Sequence, residues 1–186
     1  FTVNGLFSIS GQINYYSDSI VVPNVTMTLT GSGSPVVVSS DGSGLFNLTD
    51  IPVGSYRITP SKSNDAVGIT SYDASLVLQA NADLITLSSE QNKAADVNNN
   101  GIVSAMDAFY ILQKAVDLIS LPFPGNEQIW AFIPADREYP LLNLDQADQL
   151  FMAMLLGDVS GNWSDFMPQG TMISLGGETN PQATIS

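Results

Sequence analysis

Twelve residues in the middle of the chain, Asp96 to Asp107, carry oxygen donors at the spacing a hard cation requires. With Asp96 as position 1, oxygen-bearing side chains fall at Asp96, Asn98, Asn100 and Ser104 (positions 1, 3, 5 and 9), and Asp107 closes the stretch at position 12. Gly101 stands at position 6, where a sharp turn must bring the first and last ligands together, and Ile102 at position 7 contributes its main-chain carbonyl. This is the pattern of a calcium-binding loop, which surrounds the ion with about six to eight oxygens. The apolar side chain of Ile102 is then free to enter a core. Asn, Asp and Gly are also turn residues, so the plainer alternative is a polar turn before a helix. The Ser and Asp at the correct offsets favour the ion.

Such a loop has to be held by the elements around it, and from about Ser61 the apolar periodicity is helical. ITSYDASLVLQANADLI, from Ile69, aligns without gaps on VSAMDAFYILQKAVDLI, from Val103, so that Asp73 matches Asp107 at an offset of 107 − 73 = 34. Each copy places apolar residues at helix spacing after its Asp: Leu76, Val77 and Ala80 in one, Tyr110, Ile111, Leu112 and Ala115 in the other. The two helices are expected to pack on one another.

The earlier copy lacks the front half of its loop. Upstream of Asp73 the matching positions are Lys62, Asn64 and Ala66, and Lys62 would repel a cation. Far downstream, DVSGNWS at Asp158 is a front half with no back half: Trp163 stands where the turn needs Gly, and Gln169 where a carboxylate is wanted. Gly68 to Asp73 retains positions 7 to 12, and Asp158, Ser160 and Asn162 supply positions 1, 3 and 5. If the chain closes on itself, the two halves make one split calcium site. The alternative is that DVSGNW is a helix-ending turn followed by a linker.

Before the repeat, residues 6–60 alternate apolar and polar at period 2 between turn residues, which predicts antiparallel strands near Phe7 to Tyr16, Val25 to Thr30, Val36 to Ser39, Leu45 to Leu48 and Ser55 to Thr59. Asp41-Gly42-Ser43-Gly44 is a turn between two of them. After Ile119 comes a Pro- and aromatic-rich insertion, spanning 120–142, read as an ordered extended strap. Leu144 to Leu156 reads as a helix. Residues 167–186 read as a linker, or as a strand (TMISL or QATIS) seeking a partner sheet.

Composition narrows the function. Eighteen acidic residues against five basic ones give a net charge of −13, which disfavours nucleic acid and anionic membranes and favours cations. The chain has no cysteine and no histidine, so disulfides, thiolate sites and Ser-His or Cys-His catalysis are excluded. In an oxidising compartment calcium would have to take over the stabilising role of disulfides. No run of about eighteen apolar residues is present, so no membrane insertion is expected. No charged-then-apolar leader opens the chain, as expected of a mature or excised fragment. The acidic pair Asp136 and Glu138 could serve a glycosidase, but no cleft motif accompanies it and a non-catalytic protein is expected.

Two resemblances add to this reading. SGQINYY, VPNVTMTLTG and SSDGSGLFNLTDIPVGSYRITP resemble the prealbumin-like β-sandwich of Cna B-type and carboxypeptidase regulatory-like modules, on Gly11, Pro23, Gly44, Phe46, Gly54 and Tyr56. A duplicated calcium loop followed by one helix, with Asp at position 12, resembles dockerin type I repeats, and AADVNNNGIVSAMDAFYILQ is similar to one such repeat. Together they imply an α+β chain of two domains. An N-terminal antiparallel β-sandwich (1–60) would precede an α-helical, dockerin-like EF-hand-type domain (61–166). The function implied is non-catalytic: a secreted, calcium-stabilised docking or scaffolding module at the cell surface, whose partner is a cohesin-like domain or a copy of itself. The dockerin resemblance assigns partner contact to Ser71, Tyr72, Ala105 and Met106, the pairs at positions 10 and 11; alternatively Tyr72 and Met106 are core. A second function is open: a subunit of an extracellular filament or surface layer, joined by strand addition through FTVNGLF or the C-terminal tail.

Overall fold

The computed structural model describes residues 5–167. Expectations that fall on residues 1–4 and 168–186, including the strand or linker at the end of the chain, lie outside the described residues. Five strands open the chain: β1 (Leu6–Tyr15), β2 (Thr26–Gly31), β3 (Val36–Ser39), β4 (Leu45–Pro52) and β5 (Gly54–Ser61). Three helices follow, α1 (Ser71–Asn81), α2 (Ser89–Ala95) and α3 (Ala105–Ala115). The chain then returns to sheet in β6 (Trp130–Ile133), β7 (Arg137–Leu142) and β8 (Gln146–Leu155), and a short 3-10 turn, Trp163–Phe166, is the last element among the described residues.

The class is therefore α+β, with two four-stranded sheets ordered β4-β1-β8-β6 and β3-β2-β5-β7. The second sheet is antiparallel throughout. The first is mixed, because β8 runs parallel to β1 and antiparallel to β6. Strands β4 and β5 bury every second residue over most of their length, as a half-buried sheet demands. Their inward residues meet in one core that joins Ile9, Ile13 and Phe151 of the first sheet to Met27, Leu29 and Ile58 of the second.

One expectation about the elements is corrected. Leu144 to Leu156 is not a helix: most of it is β8, the strand between β1 and β6. Phe151, Ala153 and Leu155 face the core between the sheets, while Met154 enters a second core under the helices. A strand buried on both faces loses its polar alternation and reads as a continuous apolar run. The 120–142 insertion holds β6 and β7, so the strand complement of both sheets extends well past residue 60.

The helices pack on the back of the first sheet. Their core combines Ala74 and Val77 of α1, Ala95 of α2 and Ala108 and Ile111 of α3 with Ala131 of β6, Met154 of β8, and Leu156 and Val159 beyond it. Helices α1 and α3 are each eleven residues long and displaced by 34 positions, which is the repeat read from the sequence. Between β5 and β6 the chain thus makes a helical excursion whose floor is sheet.

Candidate metal centre

The continuous loop forms between α2 and α3. Asp96 ends α2, and its Oδ1 accepts from the Asn100 amide at 3.0 Å while its Oδ2 accepts from the Gly101 amide at 2.9 Å. Asp107, in the first turn of α3, uses Oδ2 to accept from the amide and hydroxyl of Ser104, both at 2.9 Å. Its Oδ1 turns back toward the loop and accepts from the Asn98 amide at 3.4 Å. Asn99 and Gly101 have φ of 55° and 84°, and the positive φ at Gly101 is what its place in the turn required. Ile102 does not enter a core: its side chain is 66% exposed, because the loop carries position 7 at the rim of the molecule.

The two half-loops meet. Asp158 lies three residues beyond β8, and Asp73 lies in the first turn of α1. Five of their hydrogen bonds reproduce those of the continuous loop. Asp158 Oδ1 accepts from the Asn162 amide at 3.2 Å, as Asp96 Oδ1 does from Asn100, and Asp158 Oδ2 accepts from the Trp163 amide at 2.9 Å, as Asp96 Oδ2 does from Gly101. Asp73 Oδ2 accepts from the Thr70 amide at 2.8 Å and hydroxyl at 2.9 Å, as Asp107 does from Ser104. Asp73 Oδ1 accepts from the Ser160 amide at 2.8 Å, across 87 residues of chain, as Asp107 does from Asn98 across nine. Position 4 is left-handed in both, Asn99 at 55° and Gly161 at 75°. Trp163 has no need of the Gly101 conformation, since the chain leaves the site there in the 3-10 turn.

The electrostatics are those of a place short of positive charge. Asp73, Asp107 and Asp158 are fully buried and Asp96 nearly so, and among the described residues none of them is in an ion pair. Burial lifts the Asp158 carboxyl above the ordinary carboxylate range; the Tyr15 hydroxyl bonded to it opposes the rise and the charge of Asp73 adds to it. Tyr15 and Tyr16 are both held well above the usual phenol range, first by burial and then by Asp158; Asp73, Asp18 and Glu90 add to the effect at Tyr16. The Oδ1 of Asn162, at position 5, is buried without a hydrogen-bond partner among the described residues. An orphaned amide oxygen beside two buried carboxylates fits an oxygen-seeking cation. Among the described residues no group of three or more Asp, Glu, His or Cys side chains is placed to hold a metal ion; each loop brings together two carboxylates.

Other predicted positions separate clearly. Gly68, with φ of 87°, sits where position 7 falls in the split loop. Ser71, Tyr72, Ala105 and Met106 are all exposed at the starts of α1 and α3, so Tyr72 and Met106 are surface rather than core residues. Lys62 is spent elsewhere: its ammonium bonds Pro23 O at 3.0 Å, Asn64 Oδ1 at 2.8 Å and Asp65 Oδ2 at 2.6 Å. Asp136 and Glu138 face Arg57 on the surface. Thr70, the counterpart of Ser104, was recoverable from the offset of 34. Four residues that grip the Asp158 half-loop and the turn after it, Tyr15 to Asp18, carry no such signal, since their contacts span more than 140 residues.

No protein-family model matches the chain, and no curated protein is significantly similar to it.

Proposed function

We propose that this chain is a non-catalytic, calcium-stabilised docking or scaffolding module of the extracellular surface, resembling a dockerin set upon a prealbumin-like sandwich. Two calcium ions are assigned, one to Asp96, Asn98, Asn100, Ile102, Ser104 and Asp107, the other to Asp158, Ser160, Asn162, Gly68 and Asp73, with Thr70 beside it. The observation that carries this reading is the matched set of five hydrogen bonds in a continuous and a divided loop. A helix cap at Asp73 uses one carboxylate oxygen; the cap leaves unexplained why the other reaches 87 residues away to the front half of a calcium loop. Converging carboxylates repel when empty, so ion binding becomes folding energy. Two carboxylates per site, with neutral oxygens for the rest, suit millimolar extracellular calcium better than nanomolar sensing.

The docking surface is the exposed start of both helices, Ser71 with Tyr72 and Ala105 with Met106. It is extended by a second pair of exposed apolar residues at the repeat offset, Leu78 and Leu112. The partner is a cohesin-like domain or a second copy of the chain. Nucleic acid is disfavoured by the charge of −13, and among the described residues no helix is long and apolar enough to cross a membrane. One observation favours the filament reading as the alternative: β3 is an edge strand with Val36 and Val37 exposed, open to strand addition.

Calorimetric titration with calcium tests the reading. The wild-type chain is expected to take up two ions and Asp73→Ala one. A wild-type stoichiometry of one, or an unchanged two in Asp73→Ala, would reject the divided site.

A further inference from the structure

We infer that Tyr15 to Asp18 form a cradle that stands in for chain continuity at the divided loop, positioning Asp158 as a ligand and tying the filling of that site to the packing of the two sheets. This rests on the calcium reading above and adds what governs the second site. Three successive residues each make one hydrogen bond to the Asp158 half-loop, and the fourth, Asp18, bonds the 3-10 turn that follows it. The Tyr15 hydroxyl donates to Asp158 Oδ2 at 2.6 Å, and the Tyr16 hydroxyl donates to the Asp158 carbonyl at 2.8 Å. Ser17 Oγ donates to the Gly161 carbonyl, and Asp18 Oδ2 accepts from Ser164 Oγ at 2.8 Å. A side chain at Gly161 would run into Ser17, so the half-loop is seated closely against the end of β1.

The continuous loop is held differently: Asn126 Nδ2 donates to the Val97 carbonyl at 3.1 Å, and among the described residues no comparable row of side chains bonds it. Helix α2 delivers Asp96, and both Asp96 oxygens are held by amides of their own loop. At the divided site a strand, β8, delivers Asp158, and the neighbouring strand β1 supplies its side-chain donor. Tyr15 is buried in the core between the sheets, with its ring 5.1 Å from Trp163 and 6.0 Å from Trp130, and the two indoles meet edge to face at 5.2 Å. One hydroxyl therefore separates a metal ligand from the aromatic centre of the sheet core. These are also the two tryptophans of the chain, so indole emission is expected to report the divided site and not the continuous one.

The test follows calcium uptake by calorimetry and tryptophan emission together, in the wild-type chain, Asp96→Ala, Asp73→Ala and Tyr15→Phe. The emission change is expected to survive Asp96→Ala and vanish in Asp73→Ala. In Tyr15→Phe, which keeps the ring and loses the hydroxyl, the affinity of the emission-linked event is expected to fall roughly tenfold while the other ion binds as before. Wild-type affinity at both sites in Tyr15→Phe would overturn the cradle while leaving two-ion binding intact. A wild-type chain that takes up fewer than two ions would instead overturn the functional reading. If Tyr15→Phe does not fold, Ser17→Ala decides: a several-fold loss confined to the emission-linked ion supports the cradle, and no loss overturns it.

Discussion

At the scale of single residues, the account turns on carboxylates buried without cations. Asp158 is the clearest case, because burial raises its carboxyl above the ordinary value near 3.8. A folded-state value above the unfolded one means that the stabilising form is the protonated acid. That contribution is fully present below the unfolded value and is lost as pH rises through the raised folded value. At neutral pH the metal-free protein therefore bears the cost of an ionised, buried Asp158, and calcium, which requires the ionised form, offsets it. The calcium-dependent rise in melting temperature is expected to be larger at about pH 7 than at about pH 4.5, in metal-free buffer with and without added calcium. An equal rise at both pH values would show that Asp158 does not titrate against the ion. At this scale the sequence was informative: the spacing of Asp96 to Asp107 located one loop, the offset of Asp73 the back half of the other, and DVSGNWS at Asp158 its front half. What it misjudged was environment. Ile102 read as a core residue because it is apolar, yet the loop holds it at the rim. Lys62 read as an obstacle, yet Asp65 and two further acceptors absorb it.

At the scale of elements, the repeat was legible because a loop and its following helix are local, and a 34-residue shift repeats each polar cap and apolar face. The five opening strands were legible for the same reason. Strand β8 was not. Leu, Met, Ala and Gln favour helix over strand, and burial on both faces of its second half, Phe151 to Leu155, removed the alternation that marks a strand, so tertiary pairing decided the outcome. The pairing leaves one trace in the sequence, Gly11. A Cβ there would collide with the main chain at Gln149, at the point where the β1–β8 register shifts. Gly11→Ala is expected to cost at least about 2 kcal/mol, measured by urea denaturation in saturating calcium, because backbone rather than a yielding side chain would have to move. A change under about 0.5 kcal/mol would mean that β8 is not held against β1 at this register.

At the scale of the whole molecule, the divided loop links the point where the chain leaves its sheets to the point where it last departs from them. Gly68 to Asp73 follow β5 and open the helical excursion; Asp158 to Asn162 follow β8, after the chain has returned to both sheets. An ion bound there would clasp the start of the excursion to the segment after β8 and, through Tyr15, join both to the sheet core. The two half-loops raise that closure in the sequence, but no local pattern shows the pairing that achieves it, β8 lying parallel to β1 from the far end of the chain. Calcium soaked into crystals of the chain, followed by an anomalous difference map, tests the clasp most directly. Two peaks are expected, one within Asp96 to Asp107 and one between Asp73 and Asp158; a peak at the continuous loop alone would contradict the clasp.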